Sequence, residues 1–272
     1  MRCLPLALVL AMTCRIAIAD EFTQDFRNEQ FNEANLRIAG SQNLLFREPE
    51  GIRVTIKKGS GESANTGVAF ALQLAGDCRL QASVGLIDVP TPKGGYGTGV
   101  ALLFEDGGPN GASFQNVVMP DGKHLYIAHK FKRSAEGEYK HEVKTFPATG
   151  TEAILAMERR GSQLKYIVSE DAGASFRELA SYIYTADPLR ISQAYAQVGG
   201  EPADVNIRIT EFKVTAEKFL RPGEQAPKKP SSIQWLVVGL FIGLPVIGGI
   251  IWSVRRKSQA RTMIEEFKQL QE

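Results

Sequence analysis

The chain has 272 residues, of which 43% are hydrophobic and 23% are charged. Its 32 basic residues nearly balance 30 acidic ones, and no basic block occurs outside the region next to an apolar C-terminal stretch. The length allows one domain with a substantial core, and the charge gives no electrostatic case for binding nucleic acid.

The first 19 residues predict a secretory signal peptide. A short basic start precedes an apolar run from Leu4 to Met12, and Ala17-Ile18-Ala19 provides the small residues of a signal-peptidase site. An uncleaved anchor is the alternative, although the apolar run is short for a membrane span. After cleavage Cys78 is the only exported cysteine, so we expect no intrachain disulfide and a buried, apolar role for this residue.

The hydrophobic pattern of residues 20–220 predicts β-strands throughout. Gly51–Lys57 alternates apolar and polar residues with period two, as half-buried strands do, whereas Val68–Leu74 and Val100–Phe104 are continuously apolar, as central strands are. Glycine-rich turns separate such runs, which number roughly a dozen. Many short strands in one domain of this size favour a two-sheet antiparallel sandwich, and no fixed repeat supports a propeller.

Two glycine-rich loops, 88–97 and 105–111, are the best candidates for ligand binding. At the rim of a sandwich such loops bind a sugar or a calcium ion, or they simply connect strands. The candidate ligand-binding residues are Asp88, Tyr96, Glu105, Asp106 and Asn110. No tryptophan lies in residues 20–220, which argues against tight sugar stacking.

The sequence gives little support to catalysis. Glycoside hydrolysis needs two carboxylates that face each other, and neighbouring residues of a strand point to opposite faces, so neither Glu105-Asp106 nor Glu170-Asp171 suffices. No Glu-x-Asp-x-x-Glu strand and no nucleophile-elbow motif occurs. His124 and His129 are five apart and face opposite sides of a strand, so we predict no metal site and no cofactor.

Residues 169–176 match the Asp-box pattern Ser-x-Asp-x-Gly-x-Ser-aromatic. This pattern predicts a tight hairpin in which the aspartate accepts backbone hydrogen bonds, the glycine takes a positive φ, and the aromatic ring closes the core beneath. The residues concerned are Ser169, Asp171, Gly173, Ser175 and Phe176. Asp boxes are frequent in glycan-binding proteins but usually lie away from the site, so we assign this one a structural role.

The C-terminal region predicts a membrane anchor. Residues 221–232 form a proline-rich linker, and residues 233–254 contain no charge and are long enough to span a bilayer as a helix. Trp235 and Trp252 are placed at the two interfaces, and Arg255, Arg256 and Lys257 stay in the cytoplasm. The expected protein is therefore single-pass and type I, with an extracytoplasmic N-terminal domain. The lack of a possible disulfide and of any Asn-x-Ser/Thr acceptor favours a bacterial cell envelope.

Two features of this region suggest partners. Gly239 and Gly243 form a Gly-x-x-x-Gly motif through which two membrane helices could pack, so a homodimer is one alternative. In the cytoplasmic tail, residues 255–272, four apolar residues share one face of a short helix. That helix either docks on a cytoplasmic partner or lies on the membrane surface.

The strand-rich region opens with residues 22–27, continues through 48–53, Glu-Pro-Glu-Gly-Ile-Arg, and ends with the strand at 207–214. It resembles the concanavalin A-like lectin and glucanase superfamily, in particular its bacterial membrane-associated members. The resemblance implies an all-β jelly-roll sandwich; members bind glycans, cleave them or mediate contacts. We predict a non-catalytic domain that binds a glycan or an envelope protein. An envelope polysaccharide hydrolase, or an assembly protein that recruits a partner through its tail, is the alternative.

Overall fold

The computed structural model describes residues 19–58, 65–199, 204–221 and 223–224. These residues form fifteen strands and one short 3-10 turn, Gln42–Leu44. The larger, eight-stranded sheet consists of β1 (Asp20–Asp25), β3 (Leu45–Glu48), β4 (Gly51–Ile56), β6 (Gln73–Asp88), β11 (Glu152–Arg160), β12 (Gln163–Ser169), β13 (Arg177–Ile183) and β15 (Val205–Leu220). The smaller, seven-stranded sheet consists of β2 (Leu36–Ala39), β5 (Asn65–Phe70), β7 (Thr98–Glu105), β8 (Asn110–Val118), β9 (His124–Arg133), β10 (Tyr139–Pro147) and β14 (Ile191–Val198).

Strand order follows a jelly-roll sandwich. The larger sheet runs β13-β12-β11-β6-β15-β4-β3, with β1 also paired to β15, and the smaller sheet runs β10-β9-β8-β7-β14-β5-β2. The pairings between these strands are antiparallel. The predicted all-β, two-sheet antiparallel fold is therefore confirmed.

The core lies between the sheets because alternate residues of each strand face inward. In β6, Leu80, Ala82 and Val84 are buried in the core, whereas the residues between them face outward. The composition of the apolar run 68–74 predicted one central strand, and this prediction is wrong. The run covers the end of β5 and the start of β6, which belong to different sheets. Both ends contribute to the shared core, so the run stays apolar across the turn.

The first and last strands of the domain pair with each other. In the β1–β15 ladder Asp20 lies opposite Ala216, and the backbone N–H of Phe219 donates to the Asp20 carboxylate at 2.7 Å. The chain therefore enters and leaves the sandwich at the same place, next to a central strand of the larger sheet.

Two glycines permit close packing inside the smaller sheet. A Cβ on Gly67 of β5 would lie 2.1 Å from the carbonyl oxygen of Ala194, and one on Gly99 of β7 would lie 2.2 Å from that of Asn116. Real Cβ atoms do not approach backbone this closely, so only glycine fits where these strands meet.

One charged side chain, Arg159 of β11, is completely enclosed among the described residues. Its guanidinium donates to three backbone carbonyls: that of Asp187 at 2.5 Å, that of Gly76 at 2.6 Å and that of Thr185 at 3.4 Å. No carboxylate of the described chain forms an ion pair with it. Arg159 thus ties the β13–β14 connection and a bend in β6 to β11. Nearby, Cys78 is buried, and desolvation raises the pKa of its thiol to about 11.

The predicted membrane and signal segments lie outside the described residues. This applies to residues 1–18 and to everything after 224, which includes Trp235, Gly239, Gly243, Trp252 and the basic cluster 255–257. Within the described part of the chain, no helix has the length and apolar character needed to cross a membrane.

Candidate functional site

Asp106 and Asn110 build the tight turn between β7 and β8. One Asp106 oxygen accepts the backbone N–H groups of Gly108 at 2.7 Å and Asn110 at 3.2 Å, and the other accepts the Asn110 side-chain amide at 2.6 Å. The carboxylate is therefore occupied by its own loop, as in other aspartate-stabilised turns.

Glu105, the last residue of β7, has a different environment. It faces outward from the smaller sheet, opposite Gly111 of β8, and is partly buried. Desolvation and the neighbouring Asp106 raise the pKa of its carboxyl group. Among the described residues, Glu105 is the only carboxylate that the strands of this sheet present on their outer face.

Asp88 and Tyr96 lie away from these residues. Asp88 ends β6 in the larger sheet, opposite Asn206. Tyr96 precedes β7, is 76% exposed, and donates its backbone N–H to Gly199. The β7 strand, about 25 Å long at its usual rise per residue, separates Tyr96 from Glu105. The five candidate residues therefore do not converge on one site.

The Asp-box segment forms the turn between β12 and β13. Asp171 accepts hydrogen bonds from the Ser169 hydroxyl at 2.7 Å, the Ser175 backbone at 2.9 Å and the Ser175 hydroxyl at 2.5 Å. Those from Ser175 and then Ser169 lower the pKa of Asp171 to about 2. Gly173 has a φ of 93°, and its N–H donates to the Ser169 hydroxyl.

Phe176 departs from expectation, because its ring is not beneath the hairpin in the core. It is 44% exposed and lies 5.1 Å from the Arg79 guanidinium, on the outer side of the larger sheet. Phe176 immediately precedes β13 in sequence. Its ring makes a cation–π contact with Arg79 instead of being buried between the sheets.

The hairpin forms one wall of an open groove on the outer face of the larger sheet. The groove has a volume of about 1120 Å³ and crosses β11, β6 and β15. Its lining includes Gln81, Ser83, Ile154 and Phe176 in addition to several charged residues. Arg27 and the residues of the β3–β4 turn complete the opposite side.

The floor of the groove is set by strand register. Glu152 of β11 and Arg208 of β15 both lie opposite Gly85 of β6, so two oppositely charged side chains flank a residue without one. In the next outward-facing row, Ile154 and Glu211 flank Ser83 in the same way. Adjacent strands lie about 4.8 Å apart, so each flanking pair is separated by about 10 Å at the backbone. Gly85 therefore leaves a gap about one strand wide.

Some polar groups of the groove are used internally and others are not. Glu170 accepts hydrogen bonds from the Tyr126 hydroxyl and the Thr149 N–H, both at 3.0 Å, and lies 3.6 Å from Arg177. Burial tends to raise the pKa of Glu170, but these contacts leave it lowered. By contrast, the Arg208 Nε is buried without a hydrogen-bond partner, and its Nη2 is 3.7 Å from Glu48.

Glu152 and Glu211 accept no hydrogen bond within the described chain, and Glu211 interacts only electrostatically with Arg27 at the rim of the groove. Together with Arg208 they can bind hydroxyl groups of a ligand. Sequence reasoning missed all three, because single charged residues at alternate positions of a strand look the same whether they line a groove or an ordinary solvated face.

Several solved structures share this arrangement of sheets. LamAcat from Zobellia galactanivorans is 11% identical, with a TM-score of 0.51 over 71% of this chain and 96% of that one. A Bacteroides ovatus mixed-linkage glucan GH16 protein, solved with a G4G4G3G product, is 11% identical, with a TM-score of 0.51 over 71% and 99%. A protein from a study of endo-acting O-glycanases of the human gut microbiota is 14% identical, with a TM-score of 0.53 over 71% and 97%.

These likenesses confirm the predicted concanavalin A-like jelly roll, and at such low identity they establish the fold alone. None of the curated proteins matches the sequence. Residues 10–236 match the family described as protein of unknown function (DUF1583) C domain, and the chain belongs to that family.

Proposed function

We propose that this domain binds a glycan without cleaving it, that the groove of the larger sheet is the binding site, and that the chain holds the domain outside a membrane through residues 233–254. The observation that carries the proposal is the open groove of about 1120 Å³ with polar groups left free on its floor. Pockets for drug-sized ligands enclose about 300–1,000 Å³, so this groove has room for an oligosaccharide.

The chemistry of the lining matches that of a sugar. A pyranose presents hydroxyl groups at its rim and C–H groups on its faces. Glu152, Glu211 and Arg208 offer acceptors and donors for the hydroxyl groups, whereas Ile154 and the exposed ring of Phe176 offer apolar surface for the faces. The Arg208 side chain is 29% exposed, so the accessible nitrogens of its guanidinium can donate to a hydroxyl oxygen in the groove.

The distribution of carboxyl groups supports binding without catalysis. Glycosidases place two carboxyl groups on either side of the bond, and one of them needs a raised pKa to act as the acid. Glu105 has a raised pKa, but it faces outward from the smaller sheet and not into the groove. In the groove, Glu170 and Asp171 have lowered pKa values and are occupied by hydrogen bonds. The two unoccupied carboxylates, Glu152 and Glu211, lie on strands to either side of β6 and in successive rows, about 12 Å apart at the backbone, so we assign them to hydroxyl binding.

A glycan array followed by calorimetry on the full chain in detergent tests this proposal. We expect a glycan ligand whose affinity falls at least about tenfold in Glu211→Ala and in Phe176→Ala. Gln193→Ala, on the outer face of the smaller sheet, is the matched control and should bind as the wild type does.

Three results would contradict the proposal. Loss of affinity in Gln193→Ala but not in the groove variants would place the site on the other sheet. Release of reducing ends from the bound glycan would show hydrolysis. Absence of any glycan ligand, together with specific capture of an envelope protein, would support the alternative binding role.

A further inference from the structure

A pair of histidines projects from the outer face of the smaller sheet. In the β9–β10 ladder, His129 lies opposite Val143 and His141 lies opposite Phe131, so the two histidines occupy diagonal positions on one face. The Nε2 atom of His129 and the Nδ1 atom of His141 form a hydrogen bond of 2.9 Å, so one of these nitrogens carries a proton that a metal ion would replace. Diagonal neighbours across antiparallel strands are within reach of each other when their side chains are long or aromatic.

This separation matches the geometry of a metal chelate. Imidazole nitrogens bind transition metals at about 2.0–2.1 Å, so two of them at a right angle around one ion lie about 2.9 Å apart. Right-angled nitrogen ligands are characteristic of tetragonal Cu²⁺. We propose that His129 and His141 together bind a divalent transition-metal ion, with Cu²⁺ preferred.

The surroundings of His129 resemble the outer shell of a metal ligand. Its Nδ1 atom lies 3.3 Å from the Ser113 hydroxyl oxygen, and the Gln115 side-chain amide donates to that same oxygen at 2.9 Å. Both Ser113 and Gln115 are buried, which fixes the hydroxyl. When His129 donates from Nδ1 to Ser113, its Nε2 lone pair points to the shared position beside His141, as in histidine ligands oriented by an outer shell.

Aromatic rings restrict the orientation of both imidazoles. Phe131 lies 5.4 Å from His129, and Tyr139 stacks on His141 at 5.8 Å with an angle of 23° between the rings. His141 itself is exposed, so the far side of the pair is open to water. No group of three or more metal-ligating side chains occurs among the described residues, so water completes the coordination sphere.

The donor set dictates which ions bind. Two neutral nitrogens favour Cu²⁺ over Ni²⁺ and Zn²⁺ in the usual order of affinity, whereas Ca²⁺ and Mg²⁺ require oxygen ligands. The site is on the sheet opposite the groove, so it does not depend on the proposed glycan binding.

The test is to titrate the full chain, carrying a tag without histidine, with Cu²⁺. Binding is monitored by calorimetry and by electron paramagnetic resonance. We expect one Cu²⁺ per chain, a dissociation constant on the order of 1 µM or below, and hyperfine structure from two nitrogens. Ni²⁺ and Zn²⁺ should bind more weakly, and Ca²⁺ and Mg²⁺ should not bind.

Variants separate this site from incidental binding. His141→Ala, an exposed change, should weaken Cu²⁺ binding at least about tenfold, and Ser113→Ala should weaken it by about tenfold through His129. His124→Ala is the control: His124 bonds to Asn116 and lies elsewhere, so Cu²⁺ affinity should be unchanged. Unchanged affinity in His141→Ala, or a spectrum with oxygen ligands only, would overturn the proposal.

Discussion

Arg159→Ala tests whether a buried guanidinium holds the connection between β13 and β14 in place. The change removes the two short hydrogen bonds to Asp187 and Gly76, at 2.5 and 2.6 Å, and leaves both carbonyls without a donor. A hydrogen bond to a charged group contributes about 1.5–3 kcal/mol, so the loss amounts to about 3–6 kcal/mol. The variant no longer has to desolvate a charge, which offsets part of that loss. We therefore expect the free energy of unfolding to fall by about 2–4 kcal/mol.

The assay is urea unfolding, supported by thermal melts, in which a loss of this size lowers Tm by about 4–16 °C for a domain of about 200 residues. The adjacent Arg160 provides the control. Its side chain is largely exposed and pairs with Glu158 at 2.7 Å, so Arg160→Ala should change stability by no more than about 0.5 kcal/mol. If both variants are equally stable, Arg159 does not stabilise the fold by the contacts described.

Three further predictions concern the groove, the strand contacts and the hairpin. Gly85→Leu should leave stability within about 1 kcal/mol, because a Cβ there meets only Glu152 at 3.6 Å, yet it fills the gap and should abolish glycan binding in calorimetry. Gly67→Ala should destabilise the fold by about 3 kcal/mol in urea unfolding, whereas Gly161→Ala, with φ of 56° and no atom within 4 Å, should lose only about 1 kcal/mol. The Asp171 carboxyl should titrate in NMR with a pKa near 2, below its ordinary 3.8. Because the pKa is depressed in the folded protein, the ionised Asp171 carboxylate stabilises the hairpin above about pH 4, and this stabilisation is lost as the pH falls toward 2. Asp171→Asn should remove this pH dependence from thermal melts.

The fold was predictable because it rests on local periodicity. Period-two alternation in residues 51–57 and glycine-rich turns are recorded directly in the sequence, and the structure places a strand in that segment. The apolar run 68–74 was wrongly interpreted as one strand. The end of β5 and the start of β6 both pack in the core, so the change of sheet between them does not alter the apolar pattern. Periodicity reports which side of a strand is buried and says nothing about which sheet contains it.

The sites were harder to predict, because strand register creates them. Gly85 becomes a gap only when Glu152 and Arg208 are placed on either side of it, and these residues are far apart in sequence. The proximity of His141 to His129 could not be predicted for the same reason, since only the β9–β10 pairing places the two side by side. Glu105 and Asp106 looked equivalent in sequence, but their surroundings give one an altered pKa and commit the other to its turn.

The pairing of β1 with β15 determines how the domain responds to force. Asp20 and Ala216 lie side by side, so a pull between the two ends of the domain loads the hydrogen bonds of this ladder one after another, like a zipper. Strand β1 should therefore detach first and at low force. Because β15 stays paired with β6, the strands beneath the groove keep their register after β1 has been released.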